Sequence, residues 1–311
     1  MPPSMEDGPA NGDTMTLLRD AVTEGDVVVV ARLLDKLNVA AQDGAVDQPD
    51  GDGSNALMLA AQGGHIEVAS LLLRHGADIH QVDNSGRNAL MRAILGGHMA
   101  VAAMLLEQGA DVDHADGSGC TALMIAAQEG QLNMAALLLD NGAAVNTNEN
   151  EGWTALMVAA HSGDVDVAAL LLSHGAAAEH ADHNGCNALM VAADENHLEM
   201  ATLLLGRGIA VDQPQNNGYT ALMHAAHHGS SAVAALLLAK GAAVDQADNG
   251  GRTALMIAAQ CGHPLVAAML VDKGAAVDKV DNSGWTALMC CAQDGHKEVR
   301  VTMASIMAVV Y

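Results

Sequence analysis

The sequence repeats itself every 33 residues. A tetrapeptide of Thr or Asn followed by Ala-Leu-Met occurs eight times, and each copy begins 33 residues after the previous one. A fixed period of this length is typical of supersecondary units that cannot bury their apolar faces alone and therefore stack on their neighbours. The repeat therefore outweighs the expectation, based on length alone, that 311 residues form about two compact domains. The copies begin at Asn55, Asn88, Thr121, Thr154, Asn187, Thr220, Thr253 and Thr286.

Equivalent positions in successive repeats form columns, and these columns predict two helices per repeat. The Thr or Asn of the tetrapeptide is a favourable N-cap for a first helix. That helix ends at a Gly column, in which Asn196 is the one exception and is the residue next most tolerant of a left-handed backbone. A second helix with a Leu triplet, such as residues 137–139, ends at a second Gly column. An Asp-x-x-Gly turn then leads into the next repeat.

Composition excludes several classes of protein. Asp and Glu number 37 against 13 Lys and Arg, which gives a formal net charge of −24. Such a surface repels nucleic-acid phosphates and anionic lipids, so we expect neither as a partner. No run of about 18 apolar residues exists, which argues against membrane insertion. The five Cys lack CxxC spacing and indicate free thiols in a reducing compartment, so we expect the cytoplasm, with the nucleus possible.

The 33-residue unit resembles the ankyrin repeat, whose signature combines a turn, two antiparallel helices and a hairpin-like segment. In the Thr-Pro-Leu-His motif of that family, this chain has Ala for Pro and Met for His. The resemblance implies an all-α solenoid of helix-turn-helix units with short β-hairpin-like turns. We expect a disordered acidic tail at 1–14, a repeat domain at 15–300 and an apolar tail at 301–311. The domain divides into a degenerate capping repeat (15–49), regular repeats (50–280) and an altered terminal repeat (281–300).

The resemblance further implies a non-catalytic module that binds a protein partner through its concave face, formed by the turn tips and the outer side of the first helices. Residues that the repeat does not dictate are the candidate contacts. Both Trp and one of the two Tyr lie in the column that precedes the N-cap, and these residue types are common at binding hot spots. The alternative is a structural role over the neighbouring turn. This column contributes Arg87, Trp153, Tyr219, Arg252 and Trp285.

A second set lies at the end of the first helix, where residues vary from copy to copy. Its acidic members favour a partner with a basic patch, and the alternative is that these are only solvated helix ends. We expect a monomeric chain. This set contributes His161, Asp194, Glu195, His227 and His228.

Two rival functions stay open, and catalysis is not expected. The chain lacks a phosphate loop, a GxSxG elbow and an HExxH motif, so we predict no enzyme and no cofactor. One rival is an adaptor, regulatory or targeting segment of a larger protein. The other is a metal-responsive module, because His224, His227 and His228 share a helix face, with Glu195 or Cys261 in adjacent repeats. The apolar column around His224 and the lack of metal-site spacing argue against a resident metal. Asn146 occupies the station at which ankyrin-like hairpins can be hydroxylated.

Overall fold

The computed structural model describes residues 11–39 and 45–302, and these residues are helical with short turns. The chain divides into two units, 1–150 and 151–311. The predicted tail at 1–10, the insertion at 40–44 and the tail at 303–311 lie outside the described residues. Helix α1 begins at Asn11, so residues 11–14, predicted as part of a disordered tail, are helical.

Two helices per repeat occur as predicted. Unit 1 contains α1 (Asn11–Glu24), α2 (Val27–Val39), a 3-10 turn (Ala45–Asp47), α3 (Ala56–Gln62), α4 (Ile66–Arg74), α5 (Ala89–Leu95), α6 (Met99–Glu107), α7 (Ala122–Gln128) and α8 (Leu132–Asp140). Unit 2 contains α9 (Ala155–Ser162), α10 (Val165–Ser173), α11 (Ala188–Asp194), α12 (Leu198–Gly206), α13 (Ala221–His228), α14 (Ser231–Ala239), α15 (Ala254–Cys261), α16 (Pro264–Asp272) and α17 (Ala287–Gln293), followed by helical residues 297–302.

The first helix of each regular repeat begins at the predicted cap. The cap residue is extended, and its side-chain oxygen accepts a hydrogen bond from the amide of the Met three residues later. The bond is 2.9 Å at Asn55 and 3.4 Å at Thr154. Each such cap stabilises its helix by about 1 kcal/mol. At the other end of the helix, Asn196 adopts φ 57° and is the one non-glycine with positive φ among the described residues.

Methionine and leucine side chains form the core between successive repeats. The Met column is 0–2% exposed in seven repeats, from Met58 to Met256, which confirms the predicted core role. Met289 in α17 is 52% exposed, because no later repeat covers it within the described residues. Within each unit, each repeat therefore completes the core of the one before it, as expected for a repeat solenoid.

The turns are joined from repeat to repeat by side-chain amides. Asn216, Asn249 and Asn282 each donate a hydrogen bond from Nδ2 to the carbonyl oxygen of the residue 33 positions earlier, at 2.9–3.0 Å. Isolated antiparallel bridges, such as Ala181 with Asn187, complete the hairpin-like turns. Turn tips within each unit are thus held at a fixed spacing. Within residues 11–39 and 45–302, no helix is long and apolar enough to span a bilayer.

Candidate functional site

Asp194 lies at the centre of a polar cluster in unit 2. Its Oδ1 atom is 2.7 Å from Nδ1 of His224 and 3.3 Å from Nε2 of His228, both on the next first helix, α13. A carboxylate only accepts, so the histidine nitrogens donate, and the neutral His224 carries its proton on Nδ1. Nε2 of His224 is buried without a hydrogen-bond partner. The carboxylate of α11 is therefore held by two side chains of the neighbouring repeat.

Trp153, His161 and Glu195 form a second set of contacts, between the repeat of α9 and the end of α11. The rings of Trp153 and His161 meet edge to face, with centroids 5.9 Å apart. Nδ1 of His161 lies 3.3 Å from Oε1 of Glu195, and both side chains are about half exposed, at 58% and 44%. In addition, Nε2 of His197 donates to the carbonyl oxygen of His161 at 3.1 Å, which fixes the backbone at the end of α9.

Tyr219 is packed between a histidine and a guanidinium group. Its ring meets His224 edge to face at 5.2 Å, and the guanidinium carbon of Arg252 lies 5.7 Å from the ring centroid. Arg252 also binds the buried carboxylate of Asp248, with an Nε to Oδ2 distance of 2.9 Å. Burial raises the pKa of Tyr219, so the phenol stays neutral at physiological pH. Tyr219 and Arg252 therefore combine a packing role with a surface position.

His227 and Cys261 extend the cluster into the next repeat. The rings of His227 and His228 are 4.8 Å apart, and Sγ of Cys261 lies 3.5 Å from Nδ1 of His227. Burial, followed by the neighbouring His228, lowers the pKa of His227. The carbonyl oxygen of His227 accepts a bond from Nε2 of His263 at 2.9 Å. The side chains that surround Asp194 form one surface, the histidine–carboxylate surface, defined as Trp153, His161, Asp194, Glu195, Tyr219, His224, His227, His228 and Arg252.

The structure thus brings together eight of the ten predicted contact residues. The ninth, Trp285, is 36% exposed, and its amide donates to Asp281 Oδ1. No ring contact described for residues 151–302 joins Trp285 to the surface. The tenth, Arg87, lies in unit 1, where its Nε is 3.4 Å from Oδ2 of Asp116.

The rival metal site was predicted from His224, His227 and His228. Among the residues that the structure describes, no group of three His, Cys, Asp or Glu side chains is placed to hold a metal ion. The bonds of His224 and His228 to Asp194 give a different role to these rings. Burial raises the pKa of Cys261, so its thiol is not poised as a thiolate ligand or nucleophile.

Sequence reasoning missed the partners that hold these side chains. His224 and Arg92 occupy an otherwise mostly apolar column, and each reaches a residue 30 positions earlier, Asp194 and Gln62 respectively. Arg92 also pairs with the buried carboxylate of Asp83. The signal was present, because two polar residues in a column of Leu, Ile and Val indicate a specific partner.

A second missed feature is a histidine column that starts the second helices. Nε2 of each ring donates to a backbone carbonyl oxygen near the end of the first helix of the preceding repeat, at 2.9–3.1 Å. Two of those carbonyls belong to His161 and His227, so this column positions the histidine–carboxylate surface. The histidines are His65, His98, His197 and His263.

Comparison with known proteins identifies the family. The family model described as "Ankyrin repeats (3 copies)" matches residues 18–116, 111–182, 174–248 and 237–304. A search of curated proteins found no match. The matched segments cover nearly the whole chain and coincide with the paired helices, the caps and the glycine stations. The chain belongs to the ankyrin repeat family, whose members generally serve as protein–protein interaction modules.

Proposed function

We propose that the chain binds a protein partner, without catalysis, through the histidine–carboxylate surface of unit 2. The observation that carries the proposal is the concentration there of residues that the repeat does not dictate. Trp153, Tyr219 and Arg252 are of the types that dominate binding hot spots, and they adjoin Asp194 and Glu195. The surface lies at first-helix ends and turn tips, which ankyrin proteins present to partners.

Contacts between repeats position this surface before a partner binds. Asp194 is held by His224 and His228, and the backbones of His161 and His227 are held by a histidine of the next repeat. Ordering of side chains and loops is a main cost of association, so a preorganised surface loses less free energy on binding.

Charge determines the kind of partner that this surface favours. Arg252 is paired with Asp248, so Asp194 and Glu195 are the uncompensated charges when the histidines are neutral. The chain as a whole has a formal net charge of −24. A partner with Lys or Arg side chains complements this surface and gains in association rate from long-range attraction. We propose a basic protein partner in the cytoplasm, and a chain that acts as a monomer.

The test is affinity capture from cell extract followed by direct measurement of binding. Wild type is compared with a variant that carries Trp153→Ala and Tyr219→Ala, the two aromatic residues of this surface. The control carries Leu198→Ala and Leu265→Ala, two exposed apolar residues of second helices. Thermal unfolding must first show that the variants are folded.

We expect the aromatic variant to lose partners that the control retains, and to bind an isolated partner at least tenfold more weakly. Equal capture and equal affinity for wild type and the aromatic variant would show that this surface does not bind the partner.

A further inference from the structure

Four imidazoles surround the two carboxylates of the proposed binding surface. His224 and His228 contact Asp194, His161 contacts Glu195, and the ring of His227 meets that of His228 edge to face. Histidine is the side chain whose ordinary titration falls between pH 5 and 8. The charge of this surface therefore changes in the range in which most other groups keep theirs.

We infer that acidification from about pH 7.5 to 5.5 switches this surface from net negative to net positive and so releases a cationic partner. The inference rests on the proposed function, because it concerns the regulation of the same surface. With neutral imidazoles the local charge is that of Asp194 and Glu195. Protonation of three histidines already reverses its sign.

The other groups that face the surface keep their charge over this range. Arg252, which precedes α15, stays a cation paired with Asp248. Burial raises the pKa of Tyr219, which precedes α13, and of Cys261 on α15, so both remain neutral. Carboxyl groups ordinarily titrate near pH 4, below the range.

The histidines themselves differ in their surroundings. His161 on α9 and His228 on α13 are about half exposed, at 58% and 49%. Burial, followed by the neighbouring His228, lowers the pKa of His227, so this ring gains its proton at a lower pH than an ordinary imidazole. His197 and His263, at the starts of α12 and α16, adjoin the surface. Their Nε2 atoms donate to the carbonyl oxygens of His161 and His227 respectively.

The size of the effect follows from Coulomb's law. One added unit charge about 6 Å from a bound cation weakens its binding by a factor of about two to three in a water-like dielectric with salt screening. Three added charges therefore weaken binding about tenfold.

The probe is an acetylated and amidated hexa-arginine peptide, whose charge does not change between pH 7.5 and 5.5. Its affinity is measured by fluorescence anisotropy at constant ionic strength. The test variant carries His161→Gln, His227→Gln and His228→Gln. The matched control carries His80→Gln, His174→Gln and His183→Gln, three exposed histidines elsewhere in the chain.

Wild type and the control are expected to bind about tenfold more weakly at pH 5.5 than at pH 7.5, and the test variant only two- to threefold. The inference is overturned when the test variant loses as much affinity as wild type, or when wild type loses less than twofold. A further variant with Asp194→Asn and Glu195→Gln is expected to lose peptide binding at pH 7.5, and wild-type affinity in this variant would also overturn the inference. The proposed function is decided separately, by the aromatic variant and natural partners.

Discussion

Met256 and Met289 provide a matched pair of perturbations for the stacking of repeats. They occupy the same column in adjacent repeats of unit 2, but Met256 is 2% exposed and Met289 is 52% exposed. Truncation of a fully buried Met to Ala removes its packing and leaves a cavity, at a cost of about 2–5 kcal/mol. The same truncation at a surface position costs within about 0.5 kcal/mol. We therefore expect Met256→Ala to destabilise unit 2 by several times more than Met289→Ala.

The assay is urea unfolding, followed both by far-ultraviolet circular dichroism and by tryptophan fluorescence. Repeat arrays can depart from all-or-none unfolding, so two probes are needed. Trp153 and Trp285 report from the repeats of α9 and α17 and reveal local unfolding at either place. Equal costs for the two substitutions would refute the reasoning, because they would show that Met289 is covered as completely as Met256.

Three further predictions follow from particular residues. Asn196→Gly is expected to stabilise the chain by roughly 0.5–1 kcal/mol and Asn196→Ala to destabilise it by about 1 kcal/mol in thermal unfolding, because φ is 57° at this position. Burial of Asp83 raises its pKa, but hydrogen bonds from the Arg87 amide and the Arg92 guanidinium outweigh this, and the net shift lowers the pKa. The pairing therefore stabilises the fold above the unfolded-state pKa near 4, and this stabilisation is lost as the pH falls through the lower folded-state pKa. Acid unfolding, followed by circular dichroism, should begin at higher pH in Arg92→Gln than in wild type. An unchanged midpoint of acid unfolding would contradict this expectation. Burial raises the pKa of Cys186 to about 11, so mass spectrometry after iodoacetamide treatment at pH 8 should find it labelled more slowly than Cys261.

The fold could be read from the sequence because its determinants are local. An N-cap such as Thr154 acts within three residues, and Asn196 takes its left-handed conformation from its own place at a helix end. The 33-residue period then repeats each local signal and removes ambiguity about where helices begin and end. The same logic predicted that Met58 and its equivalents are core residues. Helix α1 begins at Asn11, four residues before the position 15 at which the sequence predicts the first repeat to start.

The candidate site was predicted only in part. The column and helix-end positions identified Trp153, Asp194 and Tyr219, but not the bonds that join them. The pairing of His224 with Asp194 spans 30 residues and depends on rotamers at the contact between two helices. Such a contact follows from the repeat geometry only when side-chain directions are known. Trp285 shows the limit of column reasoning, because it shares a column with Tyr219 yet lies outside the described cluster.

Hydrogen–deuterium exchange of the chain, alone and bound to a purified partner, tests whether the partner binds the histidine–carboxylate surface. Binding is expected to slow exchange at the ends of α9, α11 and α13 and in the turn before α15, where the histidine–carboxylate surface lies. Slower exchange confined to the second helices, such as α10, α12 and α14, would contradict this expectation and would assign partner binding to the opposite face of unit 2.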